Sequence, residues 1–212
     1  MASKSLDGVL TKPANRKEAY TEEHLEELMK CMDPENGFMH FAENYAYIQH
    51  PMHGKMQFDP FPYQKNLLKA YHENRYVCAL LARQTGKTTC AAIYLTWFAM
   101  FNPNKTILIA AHKFSGAQEI MQRIRYVYEE CPDFIRAGVI GYNKGSIEFE
   151  NKSRIVSTTT TETTGRGMSI SLLYCLDGGT RVTIRDKQTH EVEDVTLAEL
   201  YGKLSGADRV LY

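Results

Sequence analysis

The sequence of 212 residues has no excess of charge of either sign, because 25 lysines and arginines balance 25 aspartates and glutamates. A balanced chain excludes general electrostatic attraction to nucleic acid, although a local basic groove stays open. No apolar run reaches the roughly 20 residues that a membrane-spanning helix needs, and the N-terminus has no charged segment followed by an apolar one. We therefore expect a protein that is not secreted and has no membrane partner.

Cysteine is present without any pattern. No Cys-x-x-Cys pair and no Cys/His cluster with metal-ligand spacing occurs, which excludes a zinc-finger type of site. An odd number of scattered cysteines also disfavours a disulfide framework and is typical of a reducing cytoplasm. The five cysteines are Cys31, Cys78, Cys90, Cys131 and Cys175.

The hydrophobic pattern predicts an α/β protein. Residues 1 to 15 are polar and predicted to lack structure, a helix is expected over about 16 to 32, and residues 33 to 60 read as loop. Beyond Pro62, which starts a helix, buried strands alternate with helices, as in a parallel sheet with helical crossovers. The predicted elements are strand 76–82, helix 86–101, strand 105–111, helix 115–130, short strands within 137–159 and strand 170–174.

The helix at 115–130 is the clearest amphipathic segment. Ser115 and Gln118 have the spacing of a capping box at its start. Its apolar positions recur every three or four residues, so they are predicted to form one buried stripe. The stripe consists of Ala117, Ile120, Met121, Ile124 and Tyr128.

The segment ARQTGKTT, residues 82–89, follows a predicted strand and opens a predicted helix. In that context a Gly-Lys-Thr is typical of a phosphate-binding loop, where backbone N–H groups and the helix N-terminus face the phosphates. Lys87 would reach the β and γ phosphates, and the Thr88 hydroxyl would ligate Mg²⁺. The alternative is an ordinary strand-to-helix turn, and Leu81 stands where the usual pattern has its first glycine.

Gln64 is a candidate for recognising a nucleobase. An amide side chain offers both a donor and an acceptor, as adenine recognition requires. It lies in DPFPYQKNLLKAY, shortly before the predicted strand 76–82. The alternative is an ordinary surface residue of a helix, and the spacing alone does not decide between them.

These segments resemble a known family. DPFPYQKNLLKAY, VCALLARQTGKTTCAAIYLTWFAMFNPNKTILIAAHK and PDFIRAGVIGYNKGSIEFENKSRIVSTTTTETTGRGMS resemble the ATPase domain of the large terminase subunit of tailed bacteriophages. The resemblance covers about residues 55 to 174. In this family the loop begins with Ala or Ser followed by Arg-Gln, which accounts for Leu81.

The resemblance implies roles for individual residues. Gln64 would be the adenine-motif glutamine, and Arg83 the loop arginine that offsets charge on the transferring phosphoryl group. Gln84, Thr85 and Gly86 would complete the ATP-binding loop with Lys87 and Thr88. ATP and Mg²⁺ are the implied cofactors, and the implied partners are the portal protein, the small terminase subunit and double-stranded DNA. The implied location is the cytoplasm of an infected bacterial host.

The resemblance is interrupted after Tyr174. In the family this strand leads into Asp-Glu, where Asp holds Mg²⁺ and Glu activates water. Here the chain continues Cys175-Leu176-Asp177-Gly178. A slightly shifted strand with Asp177 as the Mg²⁺ ligand is one interpretation. Asp177 is one position late, however, no Glu follows it, and the residues after it are too few for the rest of the sheet and a nuclease domain.

The tail, residues 175–212, resembles the N-terminal segment of an intein. CLDGGTRVTI begins with Cys and then alternates, and VEDVTLAELYGKL is similar to the segment in which an intein chain bends back. By that resemblance Cys175 attacks the carbonyl of Tyr174 to form a thioester. The alternative for Cys175 is a buried strand cysteine. The later intein residues are absent, so a partner chain would carry the intein's C-terminal fragment and the rest of the terminase.

The predicted organisation therefore has three parts. Residues 1–54 form an N-terminal helical and irregular region, 55–174 a partial terminase ATPase domain, and 175–212 a split-intein N-terminal fragment. The expected fold is an incomplete P-loop NTPase parallel sheet followed by a short β-rich piece of an intein (Hint-type) fold. Two rivals remain: a truncated ATP-binding fragment that never splices, and a two-chain assembly that the tail holds together without ligation.

Overall fold

The computed structural model of the chain describes most of residues 11–199. The described residues are 11–16, 19–50, 52–79, 81–82, 84–111, 113–159, 165, 167–175, 181–185 (backbone only), 192–196 and 199. The helices are α1 (Glu22–Met32), α2 (Gly37–Asn44), α3 (Pro62–Glu73), α4 (Lys87–Phe101) and α5 (Phe114–Glu130). The strands are β1 (Tyr47–His50), β2 (Gly54–Gln57), β3 (Thr106–Ala111), β4 (Val139–Tyr142), β5 (Ser146–Phe149), β6 (Arg154–Thr159), β7 (Leu172–Cys175), β8 (Arg181–Arg185) and β9 (Val192–Thr196). None of the helices in these described ranges has the length and apolar character needed to cross a membrane.

The central sheet has five strands in the order β4-β5-β6-β3-β7. Strands β6, β3 and β7 are parallel, as the alternating sequence predicts. The other half is antiparallel, which corrects the expectation of a wholly parallel sheet. The reason is the length of the connections: the turns after β4 and β5 are too short for a crossover, so each folds back as a hairpin.

The core lies around α4 and α5. Helix α4 is apolar on all sides and almost entirely buried, as expected for a helix enclosed by other elements. The predicted stripe of α5 is confirmed, since all five of its members are buried, together with Val127. The predicted capping box is wrong, because α5 begins one residue earlier and its N-cap is Lys113, without a side-chain cap.

The N-terminal region is more ordered than its sequence suggests. Helix α2 and the hairpin of β1 and β2 lie where a loop was expected. Phe38 and Phe41 of α2 are buried in the same core as α4. The Trp97 indole N–H donates to the carbonyl oxygen of Cys31, at 2.8 Å, and so joins α4 to the end of α1. Burial against α4 therefore compensates for a helix of only eight residues.

Residues 12–14, here called the N-terminal strap, lie along the edge of β4. Pro13 forms a parallel bridge with Val139, whose N–H donates to the Lys12 carbonyl at 2.9 Å. Lys12 is buried, and its ammonium donates to the Tyr20 hydroxyl (2.9 Å) and the Asp133 carbonyl (3.1 Å). The expectation that residues 1 to 15 lack structure is thus wrong for those that are described.

The described residues of the predicted strand 76–82 do not belong to a strand of the sheet. Among its described residues only Ala79 forms an isolated bridge, and Tyr76 is 59% exposed. An extended segment becomes a strand only when a neighbour pairs with it. The tail does form strands, because β8 and β9 pair as an antiparallel hairpin separate from the central sheet.

Candidate functional site: the phosphate loop and the end of strand β7

Gly86 shapes the loop in front of α4. It is the N-cap of that helix and has a φ of 77°, in the left-handed region that glycine adopts without strain. A Cβ at this position would lie 2.5 Å from the Gln64 side-chain nitrogen. Gln84 also has a positive φ, 64°. Left-handed residues beside a helix N-terminus produce a concave backbone suited to an anion.

Lys87, the first residue of α4, folds back over this loop. Its Nζ donates to the carbonyl oxygen of Ala82 at 3.1 Å and to that of Leu81 at 3.4 Å. Thr88 follows in the first helical turn and is partly exposed. The ammonium and the helix N-terminus therefore lie at the same short loop, as the sequence predicts for a phosphate site.

Gln64 lies directly against the loop. It is 6% exposed; its Oε1 accepts from the N–H of Phe61 (3.0 Å) and its Nε2 donates to the carbonyl of Thr85 (3.0 Å). The amide thus fastens the start of α3 to the phosphate loop. One N–H and one lone pair remain for another partner, so base recognition by Gln64 stays a prediction.

Tyr63 is a neighbour of the loop that the sequence reasoning did not identify. Its hydroxyl donates to the carbonyl oxygen of Thr85 at 3.1 Å. The same oxygen accepts from Gln64, so two consecutive side chains of α3 hold one loop residue. No sequence signal identifies this contact, because it joins residues 22 positions apart through the fold.

Two predicted site residues lie outside the described part of the chain, Arg83 and Asp177. The groups that are described suit a nucleotide with Mg²⁺. A polyphosphate needs backbone N–H donors and an ammonium, and the Thr88 hydroxyl with phosphate oxygens is an all-oxygen donor set of the kind Mg²⁺ prefers. In the described ranges, no group of three or more His, Cys, Asp or Glu side chains is arranged to hold a metal ion.

The predicted splice junction lies at the end of β7. Tyr174 pairs with Ile109 and Cys175 with Ala110 in the parallel ladder with β3. Burial raises the pKa of the Cys175 thiol to about 12. The thiol is therefore protonated at neutral pH, and the peptide bond before it belongs to a regular strand.

Tyr174 is anchored among the helices. Burial raises the pKa of its hydroxyl to about 12, and the nearby Cys90 of α4 adds to the effect. The pKa of Tyr71 in α3 is likewise raised, first by burial and then by Tyr174. Tyr174 packs against the hydrophobic core to which Cys90 of α4 and Leu67 and Leu68 of α3 belong.

Comparison with known proteins finds similarity to large terminase subunits. The family described as "Terminase large subunit, T4likevirus-type, N-terminal" matches residues 78–177. Among solved structures, the large terminase of bacteriophage HK97 superposes with a TM-score of 0.55 at 18% sequence identity. The superposition covers 81% of this chain and 35% of the HK97 chain, so the present chain spans about a third of that protein. The chain accordingly shares its fold with part of that large terminase.

Proposed function

We propose that the chain is the N-terminal half of a phage DNA-packaging ATPase and that protein trans-splicing joins it to its C-terminal half. Residues 1–174 are the part retained in the motor, with the partial ATPase domain at 55–174, and residues 175–212 are half of a split intein that is removed. After ligation, ATP hydrolysis drives the translocation of double-stranded DNA, with the portal protein and the small terminase subunit as partners.

The proposal rests on the change in sequence similarity and in structure that follows strand β7, near Cys175. The terminase-family match ends at residue 177, two residues beyond it. Strand β7 ends at Cys175, and the next described elements form a hairpin of their own. That hairpin is followed by a reciprocal cap: the Thr196 N–H donates to the Glu199 carboxylate at 2.8 Å, and the Glu199 N–H to the Thr196 hydroxyl at 3.1 Å.

The nucleotide would bind at the loop before α4. The Lys87 ammonium donates to the carbonyl oxygens of Leu81 and Ala82, and it would donate to phosphate oxygens instead when ATP binds. Thr88 would hold Mg²⁺, and Arg83 would face the γ-phosphate. Gln64 would recognise adenine while it holds the loop through Thr85. The residue that activates water would come from the partner chain.

The splicing chemistry starts at Cys175. Its sulfur attacks the carbonyl carbon of Tyr174, the carbon–nitrogen bond breaks, and the thiol proton ends on the released amine, so the step is an isomerisation. The first residue after the partner's intein fragment then takes over the acyl group from the thioester. An Asn of the partner cyclises and releases the intein, and an acyl shift restores a peptide bond. Because partial burial raises the pKa of the Cys175 thiol to about 12, the proposal includes its activation by the partner chain.

A second candidate is an ATP-binding terminase fragment that does not splice. The specific observation in its favour is that the family match runs through Cys175 to Asp177. Asp177 would then be the Mg²⁺ ligand at the end of β7, and Cys175 a buried strand residue. A two-chain assembly without ligation differs from both in forming a stable complex with no new covalent product.

Intact-mass spectrometry tests the proposal. The chain is mixed, under reducing conditions, with the product of a neighbouring reading frame that begins with intein-like sequence and continues with Asp-Glu. We expect a new species with the mass of residues 1–174 plus the partner's motor segment. Cys175→Ala should abolish it, and Cys78→Ala, which alters an exposed cysteine elsewhere, should not. A stable complex without a new covalent species would support the assembly held by the tail. The absence of both a complex and a new species would support the second candidate.

The phosphate loop can be tested in the ligated protein. Lys87→Ala should weaken Mg·ATP binding by roughly 10- to 100-fold, the range of a lost charge-assisted contact. Lys113→Ala, at the exposed N-cap of α5, is the matched control and should bind normally. Isothermal titration measures both. Equal affinities for the two variants would contradict a phosphate role for Lys87.

A further inference from the structure

Helix α1 uses one face to attach to the rest of the protein. Cys31 is buried, and Leu28 packs against the core. The His24 ring stacks on that of Phe134, with 4.2 Å between the ring centroids. These contacts fix the helix in place, and they leave another of its faces turned away from the core.

The outer face of α1 carries three apolar side chains, Leu25, Met29 and Met32, here called the α1 stripe. They are spaced at i, i+4 and i+7, so they lie in one row along the helix. Their exposed fractions are 48%, 72% and 60%, respectively. Single exposed apolar residues are normal on a protein surface, whereas a contiguous apolar patch marks an interaction surface.

The α1 stripe leads into a shallow cleft at the end of the helix. Met29 and Met32 line the cleft together with Asp33, Pro34 and Glu35, and its volume is about 560 Å³. Methionine side chains are unbranched and flexible, so they adapt to the shape of an apolar group placed between them. The cleft therefore has room for one large apolar side chain, and its two carboxylates make the rim negative.

The charges beside the α1 stripe are also negative. Helix α1 contains four glutamates and one lysine. The lysine, Lys30, forms a salt bridge with Glu27 of the same helix at 2.6 Å. Glu22 and Glu26 are exposed, and their helical positions place them along one flank of the stripe. A basic partner would be attracted to this flank, and an acidic one would be repelled.

We propose that the α1 stripe and its cleft bind a basic amphipathic helix of another protein. The apolar face of that helix covers the stripe and inserts one large side chain into the cleft. Its lysines or arginines lie along Glu22 and Glu26. None of these residues belongs to the phosphate loop or to the predicted splice junction, so the inference goes beyond the proposed function and does not depend on it.

Charge favours this occupant over the alternatives. Two copies of the chain that met through their α1 stripes would bring two acidic flanks together, and like charges across an interface oppose binding. A nucleic acid and an anionic membrane surface would be repelled by the same carboxylates. A basic helix satisfies both the apolar row and the acidic flank.

Methyl NMR of the full chain tests this surface, because Met29 and Met32 carry reporter groups within it. The probe is a synthetic peptide of about 15 residues, built from Leu, Ala and Lys, with one apolar stripe and lysines along its flank. We expect the peptide to shift the Met29 and Met32 methyl signals. The signal of Met52, which is 84% exposed in the turn between β1 and β2, should stay in place. A peptide of the same pattern with Glu instead of Lys should shift none of them.

Two matched pairs of variants assign the binding to the stripe and to its flank. Met29→Lys should weaken peptide binding roughly tenfold, whereas Met52→Lys, which also replaces an exposed methionine, should not change it. Glu26→Gln should weaken binding about two- to fivefold, the range of an exposed ion pair. Glu23→Gln, on the side of α1 away from the stripe, should bind normally. All four residues are exposed, so the variants should keep the fold, as circular dichroism can check.

Several results would overturn the proposal. One is that the Met29 and Met32 signals do not shift, or shift equally with the acidic peptide. Another is equal peptide binding by Met29→Lys and Met52→Lys. In sedimentation of the chain alone, a dimer that Met29→Lys abolishes and Met52→Lys keeps would assign the stripe to a second copy. Peptide binding that weakens as salt is added supports the proposal, because salt screens the carboxylates of the flank.

Discussion

The two edges of the central sheet differ in how they are closed. At β4 the N-terminal strap pairs with the strand, Val139 donates to the Lys12 carbonyl, and the buried Lys12 ammonium holds the strap to Tyr20 and Asp133. At β7 the described residues supply no second neighbour, although the strand is apolar on both faces.

The difference separates an edge that the described residues close from an edge at which they supply no second neighbour. The antiparallel half of the sheet is finished within the chain, since its edge is both paired and packed. The parallel half ends in a strand with the character of an interior one, directly at the predicted splice junction. An apolar edge strand without such protection is prone to pair with other strands.

The largest expected effect concerns the thiol at the open edge. Because burial raises the Cys175 pKa to about 12, its thiolate fraction at pH 8 is on the order of 10⁻⁴. Cys175 should therefore be alkylated by iodoacetamide at least about 100-fold more slowly than the exposed Cys78. Because the pKa of Cys175 is raised, the rate of its alkylation should increase with pH up to about 12. Peptide mapping over a pH series measures both rates, and rapid labelling of Cys175 at pH 8 would contradict the raised pKa of this partly buried thiol.

The next effect distinguishes the two sides of β7 in the chain alone. Leu173→Pro removes an N–H that faces β3, so it should reduce the free energy of unfolding by about 3 kcal/mol or more. Leu172→Pro removes an outward N–H and should differ from Leu172→Ala by less than about 1 kcal/mol. Urea unfolding measures all three. Equal losses for both prolines would mean that the outer side of β7 is already paired.

The closed edge gives a smaller effect. A Cβ at Gly138 would lie 2.5 Å from a Glu150 carboxylate oxygen and 2.9 Å from the Ala14 Cα of the strap. Gly138→Ala should therefore displace the strap and cost about 1–3 kcal/mol. Gly141→Ala on β4, where the nearest atom would be at 3.5 Å, is the matched control. Thermal unfolding compares them, and a neutral Gly138→Ala would show that the strap does not stabilise this edge.

The local hydrophobic pattern of the sequence predicted the helices and strands that pack against one common core. The apolar α4, the stripe of α5 and strand β3 could be read from the sequence because each buries a periodic face in one core. The strap could not, since a polar lysine becomes buried there only through distant partners, Tyr20 and Asp133. The segment 76–82 was predicted as a strand from its apolar residues alone, but pairing requires a neighbour that the sequence does not reveal.

The candidate site could likewise be predicted from the sequence where it depends on a local motif, but not where it depends on contacts between distant residues. Gly86, Lys87 and Thr88 follow from a short motif before a helix, and the structure brings the first two together with Gln64. The contact of Gln64 with the Thr85 carbonyl was not foreseeable, because it joins residues 21 positions apart through the fold. The roles of Arg83 and of Cys175 stay predictions, because they depend on ATP and on a second chain.

The most direct test of trans-splicing is tandem mass spectrometry of the mature protein isolated from the cells that produce it. Trypsin cleaves after Arg166, so the account predicts a peptide that runs from Gly167 to Tyr174 and then continues with a residue of the partner chain. A mature protein that yields only the unspliced peptide of residues 167–181, with Cys175 following Tyr174, would contradict it.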